Sequence, residues 1–189
     1  MRIAIFAATI VALSCLIFVT THSVVNAEIK PTDFNGTKNM KVVKTGNDVY
    51  MVFQAVNQSS NKEDIYLKSS HDGGKNYNFT NLSNGRVLLD VSKGKPSDVE
   101  QSFNPQIAVD KEGDVYVVWY AKTAGNPSYV VLDISKDKFA TPVMPFVNMT
   151  KANSPATDLS LINDETNGGV NLYYLSDEGP QDPCKTRCG

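Results

Sequence analysis

Apolar and polar positions alternate along three stretches of the chain. In "NDVYMVFQAV", Val49, Met51 and Phe53 occupy one set of alternating positions, and Tyr50 and Val52 occupy the other. The stretches "GDVYVVWYAK" and "GGVNLYYLS" repeat this pattern. Alternation over six to eight residues that are rich in β-branched and aromatic types is typical of β-strands. No window shows an apolar stripe with helical spacing, so the sequence predicts a nearly all-β protein.

The three stretches belong to a longer repeat. Val49, Val115 and Val170 occupy equivalent positions, 66 and 55 residues apart. Each of these valines lies in a unit whose predicted elements follow the order strand, glycine turn, strand, linker, strand, turn and strand. Segments 85–102, 103–110 and 153–163 fall between these units, and the first of them is predicted to be a polar insertion. A loose period with variable loops indicates a repeated four-stranded unit, present about two and a half times.

A polar stretch, "SHDGGKNY", lies between two predicted strands of the first unit. The carboxylate of Asp72 is suited to accept backbone N–H groups of a turn, and Ser70 would hold the turn from its other side. Gly74 would adopt a positive φ without steric cost. Tyr77 would fold its ring under the turn. We therefore expect Ser70, Asp72, Gly74 and Tyr77 to form a self-supporting hairpin turn, which is a structural role.

The spacing of these four residues resembles the Asp-box of the sialidases and related β-propellers, also called the BNR repeat. Residues 39–178 carry the resemblance, with a degenerate second copy at 135–139 and a trace of a third at 175–179. It implies a partial sialidase-like β-propeller of about two and a half blades. The alternative is a small β-sandwich. A run of blades that does not close would leave an apolar face uncovered, such as the set Val115, Val117 and Trp119.

Enzymatic activity is not expected from the arginine content. The resemblance implies three arginines that bind a sialic acid carboxylate, because guanidinium groups pair with carboxylates in a bidentate way. This chain has Arg2, Arg86 and Arg187, and only Arg86 lies in the repeats. We therefore assign no catalytic residue, metal or cofactor. The alternatives are a glycoside hydrolase with an unrecognised site and a structural component of the cell envelope.

Charge and histidine content exclude further classes of function. The chain has 18 basic and 20 acidic residues and no basic patch with interleaved aromatics, so no nucleic-acid partner is expected. His22 and His71 are its two histidines. His22 lies within residues 1–27, which are predicted below to be removed, so His71 is the one histidine left in the exported chain. A Ser–His–Asp triad or a zinc site with several histidines is therefore not expected.

The two ends of the chain have distinct compositions. Residues 1–27 combine an early positive charge, an apolar run and a small-residue cleavage pattern, as in a secretory signal peptide. An uncleaved membrane anchor is the alternative, and residues 28–38 are predicted to be a linker. The tail 179–189 contains Cys184 and Cys188, which are expected to form a short disulfide after export. We expect a secreted or cell-surface protein.

Surface features suggest binding rather than catalysis. Export would expose five sequons for N-glycosylation: Asn35, Asn57, Asn78, Asn81 and Asn148. Tyr116, Trp119 and Tyr120 would either stack on sugar rings or, as is more common for strand aromatics, face the core. The sequence therefore favours a non-catalytic module for cell-surface or extracellular binding. Its partner would be a glycan, a protein that completes the blades, or another copy of the chain.

Overall fold

The computed structural model describes residues 33–83, 87–90, 95–123, 128–139, 147–149 and 156–176. These segments are all-β, as the alternating pattern predicts. Their strands are β1 (Phe34–Thr45), β2 (Asp48–Asn57), β3 (Lys62–Ser70), β4 (Asn78–Asn81), β5 (Val87–Asp90), β6 (Lys95–Val109), β7 (Val115–Thr123), β8 (Ser128–Ser135), β9 (Val147–Asn148), β10 (Ala156–Asn163) and β11 (Val170–Ser176). In these segments there is no helix that is long and apolar enough to cross a membrane.

The strands form antiparallel sheets that follow the order of the chain. Sheet 1 contains β1 to β4 in sequence order, and sheet 2 contains β5 to β9. Strands β10 and β11 form a separate hairpin. Two meanders followed by half of a third confirm the repeated unit and give a partial β-propeller of about two and a half blades. The predicted polar insertion at 85–102 instead contains β5 and the first part of β6.

The sheets stack as three layers. In β2, Tyr50 and Val52 face sheet 2 and pack with Val117 and Trp119, whereas Phe53 lies on the opposite face. The other face of sheet 2 packs against Leu159 and its neighbours in the β10–β11 hairpin. Because side chains of a strand alternate between faces, sheet 2 needs apolar residues at successive positions, and β7 has them. Three layers, rather than two, distinguish this arrangement from the alternative of a small β-sandwich.

The expectation that Val115, Val117 and Trp119 would be exposed is wrong. All three side chains are completely buried between sheet 1 and sheet 2. They belong to the middle layer, which has a covering sheet on each side. The large apolar side chains that are exposed lie instead on the β10–β11 hairpin and on β1.

The outer face of sheet 1 carries an aromatic cluster. Phe53 and Tyr66 lie with stacked rings whose centroids are 5.7 Å apart, and Phe34 packs on both. Phe79 from β4 packs against the same cluster. Burial of such rings contributes strongly to stability, so sheet 1 has a small core of its own beside the shared one.

The first strand of each unit contains a bulge that the alternating pattern does not reveal. One bulge in each of these strands contains a left-handed Asn or Asp, namely Asn39 in β1, Asn104 in β6 and Asp158 in β10. Asn and Asp tolerate positive φ better than other side chains. Gln54 connects two of these bulges, since its Oε1 accepts Asn39 Nδ2 at 3.0 Å and the backbone N–H of Asn104 at 3.2 Å. Sheet 1 is thereby bonded to sheet 2.

Candidate functional site

The turn between β3 and β4 is built around two side-chain acceptors. Ser70 Oγ donates to Asp72 Oδ1 at 2.8 Å and accepts the backbone N–H of Gly74 at 2.9 Å. Asp72 Oδ1 also accepts the backbone N–H groups of Lys75 and Asn76, at 2.9 and 3.0 Å. Side chains that bond to nearby backbone groups in this way fix a turn in place. The geometry therefore gives Ser70 and Asp72 structural roles.

Glycine is required in this turn for conformation and for space. Gly73 and Gly74 have φ values of +78° and +93°, which side chains rarely adopt. A Cβ on Gly74 would lie 2.8 Å from the hydroxyl oxygen of Tyr77. Tyr77 thus closes over Gly74, and Lys68 Nζ lies over its ring, 4.2 Å from the ring centre.

The charge of Asp72 is part of the turn. Hydrogen bonds from Asn76, first its backbone N–H, and from Ser70 hold the pKa of the Asp72 carboxyl well below its usual value. Asn76 Nδ2 adds a bond of 2.6 Å to Asp72 Oδ2. Hydrogen bonds that favour the charged form lower the pKa of a carboxyl group. With both oxygens used by the turn, this carboxylate is not available as a general base.

The second unit retains part of the same arrangement. Ser135 Oγ donates to Asp137 Oδ1 at 2.8 Å and accepts the backbone N–H of Phe139 at 2.6 Å. Phe139 stands where the first turn has Gly74, and its φ is +60°. Its side chain is buried in the core shared by sheets 1 and 2.

An ion-pair cluster links the two turns. Asp48, at the start of β2, contacts His71 Nδ1 of the first turn at 2.9 Å and Lys138 Nζ of the second at 2.7 Å. The hydrogen bond from Lys138 is the main reason that the pKa of the Asp48 carboxyl is lowered, and the hydrogen bond from His71 lowers it further by a smaller amount. Burial acts in the opposite direction and offsets part of this shift. Since Ser70 bonds to Asp72 and His71 contacts Asp48, the Ser70–His71–Asp72 run does not form a nucleophilic triad. A triad would place the serine hydroxyl on the histidine ring.

The aromatic residues considered for sugar stacking are core residues. Trp119 is fully buried, and Tyr116 and Tyr120 are 9 % and 5 % exposed. The hydroxyl oxygen of Tyr120 accepts the backbone N–H of Leu159 at 2.9 Å, which bonds sheet 2 to the hairpin. These rings are not accessible to a sugar.

The acidic residues near the hairpin turns support those turns. Asp110 Oδ1 accepts the backbone N–H groups of Glu112 and Asp114, each at 2.9 Å. At the equivalent turn of the hairpin, Asp164 Oδ2 accepts Asn167 Nδ2 at 2.8 Å, and Asp164 Oδ1 accepts the backbone N–H groups of Asn167 and Thr166. These hydrogen bonds, first that of the Asn167 side chain, lower the pKa of the Asp164 carboxyl. Within the described segments no group of three or more His, Cys, Asp or Glu residues is placed to hold a metal ion.

The sequons differ in accessibility. Asn35 and Asn78 are exposed. Asn57 and Asn81 donate from Nδ2 to the same oxygen, Oδ2 of buried Asp64, at 2.9 and 2.8 Å. Two of the four described sequons therefore use their amide nitrogens within the fold.

Several predicted features lie outside the described residues. They include the signal segment 1–27, Arg86 and the proposed disulfide between Cys184 and Cys188. The side chain of Asn148 is also outside the description.

Exposed apolar side chains mark the ends of the stack, and the alternating pattern does not predict their exposure. On the hairpin, Ile162, Tyr173 and Leu175 are 52 %, 53 % and 62 % exposed. They alternate with Leu161, Leu172 and Tyr174, which pack on sheet 2. We call this outward set the hairpin face. In this hairpin, both the inward and the outward alternating positions carry hydrophobic residues. A hairpin that is covered on one side needs hydrophobic residues only at its inward positions, so the outward ones were the feature of the sequence that could have predicted this face.

A second exposed pair, Met40 and Val42, lies on β1, and each side chain is 55 % exposed. Val42 is paired with Met51, whereas its neighbour Val43 is paired with Tyr50 of the shared core. Val42 therefore faces away from sheet 2. Lys44 and Lys68 have the same orientation, since their partners Val49 and Met51 alternate with the inward residues. We call Met40, Val42, Met51, Lys44 and Lys68 the sheet-1 face.

Comparison with solved structures finds partial similarities. An arabinanase of Bacillus subtilis matches 74 % of this chain over 49 % of its own length, with 18 % identity and a TM-score of 0.46. An exo-β-1,3-galactanase from Clostridium thermocellum matches 80 % over 34 %, with 14 % identity and a TM-score of 0.47. The GH43_1 enzyme from Xanthomonas citri, solved with xylose, matches 77 % over 41 %, with 18 % identity and a TM-score of 0.43.

These similarities assign no activity to this chain. It spans half or less of the length of each of the three structures. None of the three is named as a sialidase, and the sialidase assignment stays a prediction from the sequence pattern. Neither a protein-family model nor a curated protein matches the sequence.

Proposed function

We propose that this chain is an exported, non-catalytic association module that binds another β-sheet on its hairpin face. The observation that carries the proposal is the exposure of Ile162, Tyr173 and Leu175 on one continuous side of β10–β11. Large apolar side chains that lie together in water mark interaction sites more often than scattered ones do.

The packing within the chain indicates what would cover this face. Sheet 2 is covered on one side by sheet 1 and on the other by the hairpin. In both cases the covering surface is an antiparallel sheet that presents alternate apolar residues. Repeats of this kind obtain their core from neighbouring repeats. A further sheet of similar shape is therefore the expected occupant of the hairpin face.

A structural role for the charged groups supports a non-catalytic function. Hydrogen bonds from turn groups lower the pKa values of Asp72 and Asp164, and an ion pair lowers that of Asp48. Catalytic carboxylates of glycoside hydrolases work as a pair in which one has a raised pKa. Among the described carboxyl groups, the three resolved pKa shifts are all downward.

Light scattering on the exported protein tests the proposal. We expect a mass above that of one chain, and we expect the double variant Tyr173→Ser/Leu175→Ser to lower it to that of one chain. Lys122→Ser is the control, because Lys122 is exposed on sheet 2 and belongs to neither terminal face. Association that persists in the double variant, or a wild-type mass of one chain at every concentration, would contradict the proposal.

A further inference from the structure

We propose that the occupant of the hairpin face is the sheet-1 face of a second copy, so that copies associate head to tail. This inference rests on the proposed function and adds the identity and orientation of the partner. It is carried by two features of the described residues, namely an apolar surface at each end of the stack and opposite charge on those ends.

Each end of the stack presents apolar side chains that no described residue covers. Ile162, Tyr173 and Leu175 lie on the hairpin face, and Met40 and Val42 lie on the sheet-1 face. These two faces point away from sheet 2 in opposite directions, because sheet 1 and the hairpin pack on its opposite sides. Translating one copy along the stack would bring the two faces together.

The charges at the two ends are complementary. The hairpin segment 156–176 contains Asp158, Asp164 and Glu165 and no basic residue. On the sheet-1 face the charged side chains are Lys44 and Lys68. Lys38 and Lys41 of β1 are paired with Gln54 and Val52 and therefore lie on the side that faces sheet 2. Opposite charge on two surfaces guides them together and disfavours contact between identical surfaces. Pairing of two hairpin faces would place acidic groups together, so charge favours the head-to-tail arrangement.

The local ion pairs leave this difference in charge intact. Lys38 is paired with Glu63 at 2.7 Å, but Lys44 is exposed at the outward side of β1. Asp64 lies on the same side of sheet 1 as Lys68, yet it is buried and bonded to Asn57, Asn81 and Ser83. The accessible charge of the sheet-1 face is therefore positive.

The size of the hairpin predicts weak association. Two strands of eight residues or fewer cover roughly 27 Å by 10 Å, which is well below the roughly 800 Å² per partner of a standard interface. Assembly should therefore depend on concentration and on salt. A contact between two different faces can close into a ring or continue as a chain of copies.

Mixing two defective variants tests the arrangement. In the first variant, Tyr173→Ser/Leu175→Ser removes the apolar hairpin face. In the second, Met40→Ser/Val42→Ser removes the apolar sheet-1 face. We expect each variant alone to have the mass of one chain and an equimolar mixture to form a pair, because the mixture contains one intact face of each kind. Formation of the pair also shows that both variants are folded.

Charge reversal supplies a second, independent measurement. We expect Lys44→Glu or Glu165→Lys to weaken wild-type association, and the double variant Lys44→Glu/Glu165→Lys to recover it. Lys122→Glu is the matched control and should leave the mass unchanged. Raising the ionic strength from about 0.1 M to about 1 M shortens the screening length from about 10 Å to about 3 Å and should also weaken association.

The outcomes separate this inference from the proposed function. If Met40→Ser/Val42→Ser still associates alone while the hairpin variant does not, the head-to-tail arrangement is wrong and the hairpin face remains the binding surface. If mixing fails to give a pair although both variants show cooperative unfolding, the head-to-tail arrangement is likewise overturned. If wild-type association is independent of Tyr173 and Leu175, both proposals fail.

Discussion

The hydroxyl oxygen of Ser135 accepts the backbone N–H of Phe139 at 2.6 Å, as Ser70 accepts that of Gly74 in the first unit. The two turns thus share a bond across the same number of residues, although one ends in glycine and the other in a buried aromatic ring. Phe139 adopts a φ of +60° and packs in the shared core. Burial of the ring compensates for the strain that a left-handed conformation imposes on a side chain.

We predict that Phe139→Gly is less destabilising than Phe139→Ala. Both remove a buried ring, which costs about 3–5 kcal/mol. Alanine retains the left-handed penalty of about 1–2 kcal/mol, and glycine does not. Chemical denaturation of the two variants measures the difference. At ordinary φ values, an alanine variant is more stable than a glycine variant by about 0.5–1 kcal/mol. If Phe139→Ala is the more stable of the two by that amount, Phe139 does not have a left-handed conformation.

The sequence could predict the strands because alternation and turn residues are local signals. The runs around Val49, Val115 and Val170 lie in β2, β7 and β11, which pair with β1, β6 and β10. Each of these strands packs against another layer on at least one face, and that packing requires the apolar residues that the pattern shows. The residues of the first turn could also be proposed, because the roles of serine, aspartate and glycine depend on neighbours within a few positions.

Other features depend on how distant segments pack. Burial of Trp119 requires sheet 1 on one side of β7, and no local pattern indicates which face a neighbouring layer covers. The contact of Asp48 with Lys138 joins residues that are 90 positions apart. The exposure of Tyr173 likewise follows from the absence of a covering sheet among the described residues, although Tyr173 and Tyr174 are neighbours of the same type.

We predict that Asp72→Ala lowers the midpoint of thermal unfolding at neutral pH and leaves association unchanged. The folded-state pKa of Asp72 is below its ordinary value of 3.8, so its charge stabilises the fold above that pH. This contribution is lost as the pH falls from there toward the folded-state pKa. The difference in midpoint between wild type and variant should therefore shrink in acid. A difference that is absent at neutral pH, or constant with pH, would contradict the role of the charged carboxylate in the turn.

We predict that Asp64→Ala destabilises the protein by about 1–3 kcal/mol, the cost of leaving buried polar groups without a partner. Asp64 is 7 % exposed and accepts bonds from Asn57, Asn81 and Ser83. Its neighbour Glu63 provides a matched control. Glu63→Ala removes only an exposed pair with Lys38, which contributes about 1 kcal/mol or less. Denaturation curves that give equal losses for the two variants would rule out the Asp64 network as a stabilising feature.

We predict no release of sialic acid by this protein. Arg86 is the single arginine between residues 28 and 186, whereas the Asp-box resemblance implies three arginines at the substrate carboxylate. The measurement is release of a fluorophore from a sialic acid conjugate, with heat-inactivated protein as the control. Release above that control, abolished by Arg86→Ala, would show that the protein is an enzyme.

Finally, we predict that a glycosylating host modifies Asn35 and Asn78 more fully than Asn57 and Asn81. The first two are exposed, whereas the other two direct their Nδ2 atoms to Asp64 Oδ2, at 2.9 and 2.8 Å. A glycan is attached at that nitrogen and would have to pass a carboxylate that is almost completely buried. Enzymatic release of glycans in heavy-oxygen water, followed by peptide mass analysis, gives the occupancy of each site. Asn78→Gln should remove one glycan without lowering stability, because its side chain is exposed. High occupancy at Asn81 in protein that unfolds cooperatively would contradict the bonding to Asp64.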